Sequence, residues 1–262
     1  MFSHWTGDAG VTFADPTSVS TTFVMPAKNV TVTAHWICIP EMPTDYILNA
    51  TFDSLPLGAF GSNDEGLILE GGYAQNSTIV QPVSGDAFYK GPADRLLKVV
   101  AANNIFNTRS KEITNQFKIG EDYVFEMSFF ATGKQTTPCL SFRYGQWAWE
   151  YDYFTLTDWH GGMVVYDHDG REIPITPEPN AWHRYAVKFR FETESKLAYS
   201  FYYDDMSKPV ATGKRDAAEK YDNKNLIGNL GFTAGLWNVG VDMNKYPLYI
   251  NNVLIYQGDI RS

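Results

Sequence analysis

The residues best suited to chemistry gather in one run, Gly145 to His160, which reads GQWAWEYDYFTLTDWH. Glu150 and Asp152 stand two apart. On a β-strand that spacing puts them on one face, about 6–7 Å apart, within the separations that carboxylate pairs use on glycosidic bonds. Trp147 enters the run, and Trp159 and His160 leave it. The preceding runs add Glu126 and Ser128 on Tyr123–Phe130, then Ser141 and Arg143 on Cys139–Tyr144. If consecutive hairpin strands share a sheet, these polar positions share one surface. Indole rings beside carboxylates and a guanidinium suit a sugar, whose ring face stacks while its hydroxyls hydrogen-bond. The competing reading is an ordinary solvated sheet face with Glu–Arg cross-strand pairs.

The run positions these groups by strict alternation. Trp147, Trp149, Tyr151, Tyr153, Thr155, Thr157 and Trp159 fall on one side. Glu150, Asp152, Phe154, Leu156, Asp158 and His160 fall on the other. Period two with aromatic and β-branched residues predicts a strand. Carboxylates are rarely buried unpaired, so Trp149, Tyr151 and Tyr153 are expected in a core and Glu150 and Asp152 outward. Phe154 and Leu156 break the pattern, and a bulge near Tyr153 would re-aim them.

The chain has 262 residues, 15% of them aromatic and spread over many short runs. Its net charge of −9 and pI near 5 argue against nucleic acid or an anionic membrane as partner. Apolar runs are too short to span a bilayer. Met1 is followed at once by what reads as the inside of a domain, so the chain is expected to belong to a larger multidomain protein. Cys38 and Cys139 are too few for a disulfide framework, and their pairing stays open. Residues 1–36 read as short strands, with Thr21–Met25 and Val30–Ala34 around a proline turn. Residues 37–44, with two prolines, form a linker. Residues 45–262 are strand after strand, with Tyr123–Ala131, Cys139–Tyr144, Trp147–Thr157 and Met163–Asp167 as a meander. Asp216–Tyr221 is the best short helix. The expected fold is all-β, a two-sheet antiparallel jelly-roll sandwich behind a small β-rich fragment.

The block Met25-Pro-Ala-Lys-Asn-Val-Thr-Val-Thr-Ala34, with the Trp5-Thr-Gly-Asp8 stretch before it, resembles the second half of an internalin-type B-repeat. That resemblance implies an extracellular bacterial setting, secreted or attached to the cell surface. Phe52-Asp-Ser-Leu-Pro, Ala181-Trp-His-Arg-Tyr, Tyr199-Ser-Phe-Tyr-Tyr-Asp-Asp205 and Tyr249-Ile-Asn-Asn-Val resemble a concanavalin A-like, laminin-G-like jelly roll across residues 45–260. Such domains are commonly lectin-like carbohydrate-binding modules and less often glycanases. Many relatives carry Asp-Asp where this chain has Asn251-Asn252, which weakens any calcium site carried over from them. Glu150 and Asp152 also resemble the start of the Glu-x-Asp-x-Glu signature of laminarinase-type glycanases. Phe154 replaces the second glutamate and cannot donate a proton, so an acid would have to come from elsewhere, with Glu126 the nearest choice.

Other signals admit plainer readings. Asp167-His168-Asp169-Gly170 suits a hairpin turn better than a calcium loop. His160 and His168 lack a ligand set. Asp53 and Asp64 leave room for a structural calcium, with no cofactor required. Trp182 is expected in the core. Trp237 is core or ligand platform, and Tyr73 and Tyr89 are lesser platforms. Asn29, Asn49 and Asn76 sit in glycosylation sequons that carry no weight in a bacterial protein. The sequence reading is thus a non-catalytic module that binds polysaccharide or host glycan. Its site is drawn from Trp147, Glu150, Asp152, Arg143, Glu126, Trp159, His160 and Trp237. The alternatives are a glycoside hydrolase using Glu150, and a protein-binding adhesin or structural domain.

Overall fold

The computed structural model describes residues 2–16, 18, 20–36, 45–61, 64–69, 77–83, 86–87, 95–100, 103–107, 111–132, 138–144, 152–157, 164–166, 172–173, 178–216, 226–228, 230–236 and 245–261. The chain divides into two compact units, Met1–Met42 and Pro43–Ser262.

In the first unit, β1 (Phe2–Gly7) pairs antiparallel with β2 (Val32–Trp36). Thr21–Met25, expected as a strand, contributes one bridge, Phe13 to Phe23. The physical reason is the small core. Trp5 stacks on Phe13 and Phe13 meets Phe23, while Val24 and Met25 remain exposed. A segment that buries so little has no packing gain to set against the cost of ordering a full strand.

The second unit runs in chain order through β3 (Tyr46–Ala50), β4 (Gly58–Ala59), β5 (Ile68–Leu69), β6 (Ser77–Val80), β7 (Leu96–Val99) and β8 (Asn103–Asn107). A four-residue helix α1 (Lys111–Thr114) precedes β9 (Asp122–Ala131), β10 (Pro138–Tyr144), β11 (Asp152–Thr157), β12 (Val164–Tyr166) and β13 (Glu172–Ile173). The chain ends with β14 (Trp182–Phe191), β15 (Lys196–Tyr203), β16 (Ala211–Asp216), β17 (Leu230–Leu236) and β18 (Leu248–Gln257). Among the described residues, seven strands form one sheet in the order β13-β12-β11-β10-β17-β8-β5. Nine form the other, in the order β16-β15-β14-β9-β18-β7-β6-β4, with β3 also on β18. Among the described residues all pairings are antiparallel, and the two sheets make the expected sandwich.

Alternation on the central strands builds the core. Tyr123, Phe125, Met127 and Phe129 of β9 lie in it beside Tyr185, Val187, Phe189 and Phe191 of β14. Phe117, just after α1, meets Tyr123, Phe189 and Phe191 edge-on or tilted. The opposite face of the same strands holds smaller clusters, Val124 with Ala186 and Tyr256, and Phe130 with Leu96 and Tyr249. Burying each such side chain is worth about 1.5–3 kcal/mol.

Two expectations change here. The meander holds for β10, β11 and β12, which are successive neighbours, but β9 lies in the other sheet between β14 and β18. A strand whose inward residues are four large apolar groups gains more at the centre of the larger sheet than at the end of a polar hairpin. Trp182 is half-buried on the outer cluster against Phe130, 5.7 Å between ring centroids, whereas His183 takes the inward position.

Asn251-Asn252 also gains a structural account. Asn251 pairs with Ser128 and Leu254 with Glu126, so β18 carries one extra residue at this point. Asn252 sits there at φ 57°. Asparagine tolerates that left-handed conformation better than most residues. The bulge is the seam where β18 exchanges one partner, β7, for another, β3.

Candidate functional site

The seven-stranded sheet separates by register into two kinds of row. Glu172 pairs with Tyr166, Tyr166 with Thr155, Thr155 with Ser141, Ser141 with Thr233, and Thr233 with Asn107. The adjacent row runs Ile173, Val165, Leu156, Leu140, Ala234 and Phe106. Directly paired residues in an antiparallel sheet share a face, and neighbouring rows take opposite faces. The first row is therefore mainly hydroxyl, amide and carboxylate residues, ending on Ile68 opposite Asn107, and the second is aliphatic or aromatic, with Asn103 opposite Leu236 sharing its face.

Leu230 decides which face is inward. It lies in unbroken register with Ala234 along β17, two alternations away, and so shares the apolar face. Leu230 is 1% exposed and belongs to the main core. By register, the row of Leu140 and Ala234 falls on Leu230's face of the sheet, and the row of Ser141 and Thr233 falls on the other.

Arg143 and Asp152 fit this scheme. Arg143 shares parity with Ser141 and stands directly opposite Asp152. The register shifts between Ser141 and Arg143, so Tyr153 and Phe154 on β11 oppose Phe142 alone. That is the bulge expected near Tyr153. It lets Asp152 and Thr155 occupy one face although they are three residues apart. Thr155, expected on the inward side with the rings, shares the row of Ser141, and Leu156 shares that of Leu140. Trp147, Glu150, Trp159, His160, Trp237, Tyr73 and Tyr89 lie outside the described residues, as do Cys38, the 167–170 turn and residues 217–221. Cys139 is placed by register, opposite Gly235.

Glu126 does not join the group. It is on the other sheet, on the face turned away from the core, and 5% exposed. Arg184 Nε donates to its Oε1 at 2.9 Å, and Arg261 lies at 2.9 Å from the same oxygen. Tyr256 donates its hydroxyl to Oε2 at 3.1 Å. Burial pushes the Glu126 carboxyl up, but hydrogen bonds and charge from Arg184 and Arg261 outweigh it and hold the group below its usual range. The Glu–Arg cross-strand pairing weighed as the plain alternative is thus what this residue does. Sequence reasoning missed Arg261, whose partners lie far away in the chain.

The Asp53 loop was read as leaving room for calcium. Asp53 Oδ1 accepts the Arg95 main-chain N–H at 2.9 Å. Glu65, at φ 50°, accepts the Phe52 N–H at 2.8 Å and the Ser54 hydroxyl at 3.2 Å. Asp64 is placed only as the start of a short turn of 3-10 helix, Asp64–Gly66. Among the described residues no three His, Cys, Asp or Glu gather, and calcium takes six to eight oxygens. The described carboxylates serve here as acceptors that fix the loop.

Comparison with known proteins adds two findings. Residues 1–40 match the divergent InlB B-repeat domain family. The sandwich is similar to the catalytic domain of a GH131 β-glucanase from Podospora anserina. That likeness has 9% identity and a TM-score of 0.50, and covers 83% of this chain and 98% of that one. An endo-β-1,4-glucuronan lyase from the fungus Trichoderma reesei is 11% identical with a TM-score of 0.45, covering 84% of this chain and 98% of that one. Identities this low speak to the fold alone. No curated protein matches the chain.

Proposed function

We propose that residues 43–262 bind a polysaccharide or glycan on the outer polar face of the seven-stranded sheet, without cleaving it. The observation that carries this reading is the register itself, which gathers Ser141, Arg143, Asp152, Thr155 and Thr233 on the face opposite Leu230. Hydroxyl, guanidinium and carboxylate residues on neighbouring strands are what a hydroxyl-rich ligand needs for orientation. Trp147 and Trp159, on either side of β11 in sequence, are assigned to the stacking platforms, and Glu150, His160 and Trp237 are proposed as further ligand contacts. The likeness to a β-glucanase domain supports a carbohydrate ligand, and the B-repeat match supports a setting outside the cell. No helix among the described residues is long and apolar enough to cross a membrane.

An open face of this kind binds modestly, with about 4–6 kcal/mol, or tens of micromolar to millimolar. Hydrolysis is the second reading, using Glu150 and Asp152. It needs a proton donor, and Glu126 is unsuited, being held ionised on the far side of the other sheet.

Electrophoresis of the full chain in native gels containing soluble β-glucan, xylan, mannan or mucin glycans tests the proposal. Retarded migration in at least one gel is expected, lost in a Trp147→Ala or Arg143→Ala variant that keeps its far-UV spectrum. Unaltered migration in every gel would end the binding claim. Release of reducing sugar that disappears in Glu150→Gln would replace binding with hydrolysis.

A further inference from the structure

We propose that protonated His183 is a charged pin, fastening the crossover that leaves the seven-stranded sheet onto β14, and that raising the pH withdraws it. His183 is 6% exposed and stacks on Tyr203, with Phe129 on another side. Its Nδ1 lies 2.8 Å from Asp204 Oδ2, and its Nε2 lies 2.6 Å from the main-chain oxygen of Glu178. Both partners are acceptors. A carbonyl has no proton to give. The Asp204 side chain is 48% exposed, and its other oxygen already accepts the Arg184 main-chain N–H at 2.9 Å. Neutral imidazole offers one N–H and one lone pair. It would therefore set a lone pair against an acceptor in one of the two contacts. The imidazolium fills both.

The groups around the ring agree. Asp204 comes from the turn after β15 and Glu178 from the segment before β14, and both bring negative charge. Tyr203 of β15 stays neutral, since burial and Asp204 push its hydroxyl far up. Phe129 of β9 has no charge, and the Arg184 guanidinium is spent on Glu126 at the opposite face. Burial draws the His183 pKa down, but bonds and charges from Asp204 and Glu178 raise it overall. Asp204 is held at φ 56°, a conformation aspartate tolerates, with its own N–H donating to the Arg184 carbonyl at 2.8 Å.

The pin acts where the chain, having left β13, comes onto β14. Loss of the proton gives up either the Glu178 carbonyl or Asp204. A raised folded-state pKa means that the stabilisation is complete below the ordinary histidine value of 6.5 and is lost as pH rises through the folded value.

Nitrogen-detected NMR of the full chain tests this, with the His183 signals assigned by their absence in His183→Gln. Both ring nitrogens are expected to carry protons at pH 6.5 in most molecules, with a titration midpoint above that value that drops in Asp204→Asn. The folding equilibrium constant should fall by up to tenfold per pH unit through that window, and the fall should vanish in His183→Gln. Amide exchange near residue 178 should rise over the same range beyond the intrinsic pH effect. A midpoint at or below 6.5, or the same slope in His183→Gln, would overturn the proposal. Should His183→Gln fail to fold, the wild-type ring protonation and the Asp204→Asn midpoint still decide it.

Discussion

Glu126 shows how much a single residue's meaning depends on its partners. A glutamate on an alternating strand next to a Ser/Arg strand is expected to share that strand's surface. The expectation failed because hairpin adjacency, usually a sound guide, does not hold where the chain changes sheets. Nothing in the local sequence marks that change. The two arginines that explain Glu126 lie 58 and 135 residues away. Replacing Glu126 by Gln leaves Arg184 and Arg261 without their carboxylate and should cost about 3 kcal/mol, read as a lower urea midpoint at unchanged slope. Because the Glu126 pKa is depressed, its contribution is present above the ordinary carboxyl value of 4.5 and fades as pH falls below it. Urea melts from pH 7 to pH 3 should show this loss in the wild type, and a smaller one in Glu126→Gln. The same substitution should leave glycan retardation intact, since this carboxylate is remote from the polar row.

At the scale of elements, alternation located most strands of the second unit. The bulge near Tyr153 was legible as well, because Phe154 and Leu156 contradicted the period of their neighbours. What alternation could not supply is which of two faces is inward, since Thr155 reads equally well on either. That needed pairing partners, and through them Leu230. The short strands β4 and β6 and the four-residue α1 escaped notice because so few residues carry no period. Two substitutions test the element account. Asn252→Val forces a β-branched residue into a left-handed conformation at the β18 seam and should cost about 1–2 kcal/mol, while Asn252→Gly should be nearly neutral, both by thermal melts. Gly213→Ala on β16 would bring a methyl against the Tyr199 ring opposite it, its Cβ within 2.5 Å of Cζ. Ring displacement should lower stability by about 1–3 kcal/mol.

For the whole molecule, composition and spacing were enough to indicate a two-sheet β-sandwich behind a smaller β-rich unit. Proline and glycine punctuation, many short alternating runs and abundant aromatics all point that way. The site was legible only in part. Arg143 and Asp152 were singled out and do stand opposite one another, but Tyr166, Asn107, Thr233 and Glu172 were not. They come from strands distant in sequence, and their residue types are common on any surface. Only sheet order makes a row of them. The account as a whole therefore rests on the polar row facing solvent while the aliphatic row faces the core. Thiol labelling of the folded full chain, in a background with Cys38 and Cys139 replaced by alanine, measures this directly. Thr233→Cys should react with a bulky maleimide at close to the rate of a free thiol, and Ala234→Cys, one residue on, should be protected at least about a hundredfold, as fits opening on the order of 3 kcal/mol or more. Rapid labelling at 234 with protection at 233 would place the polar row inside and leave the glycan face without a surface.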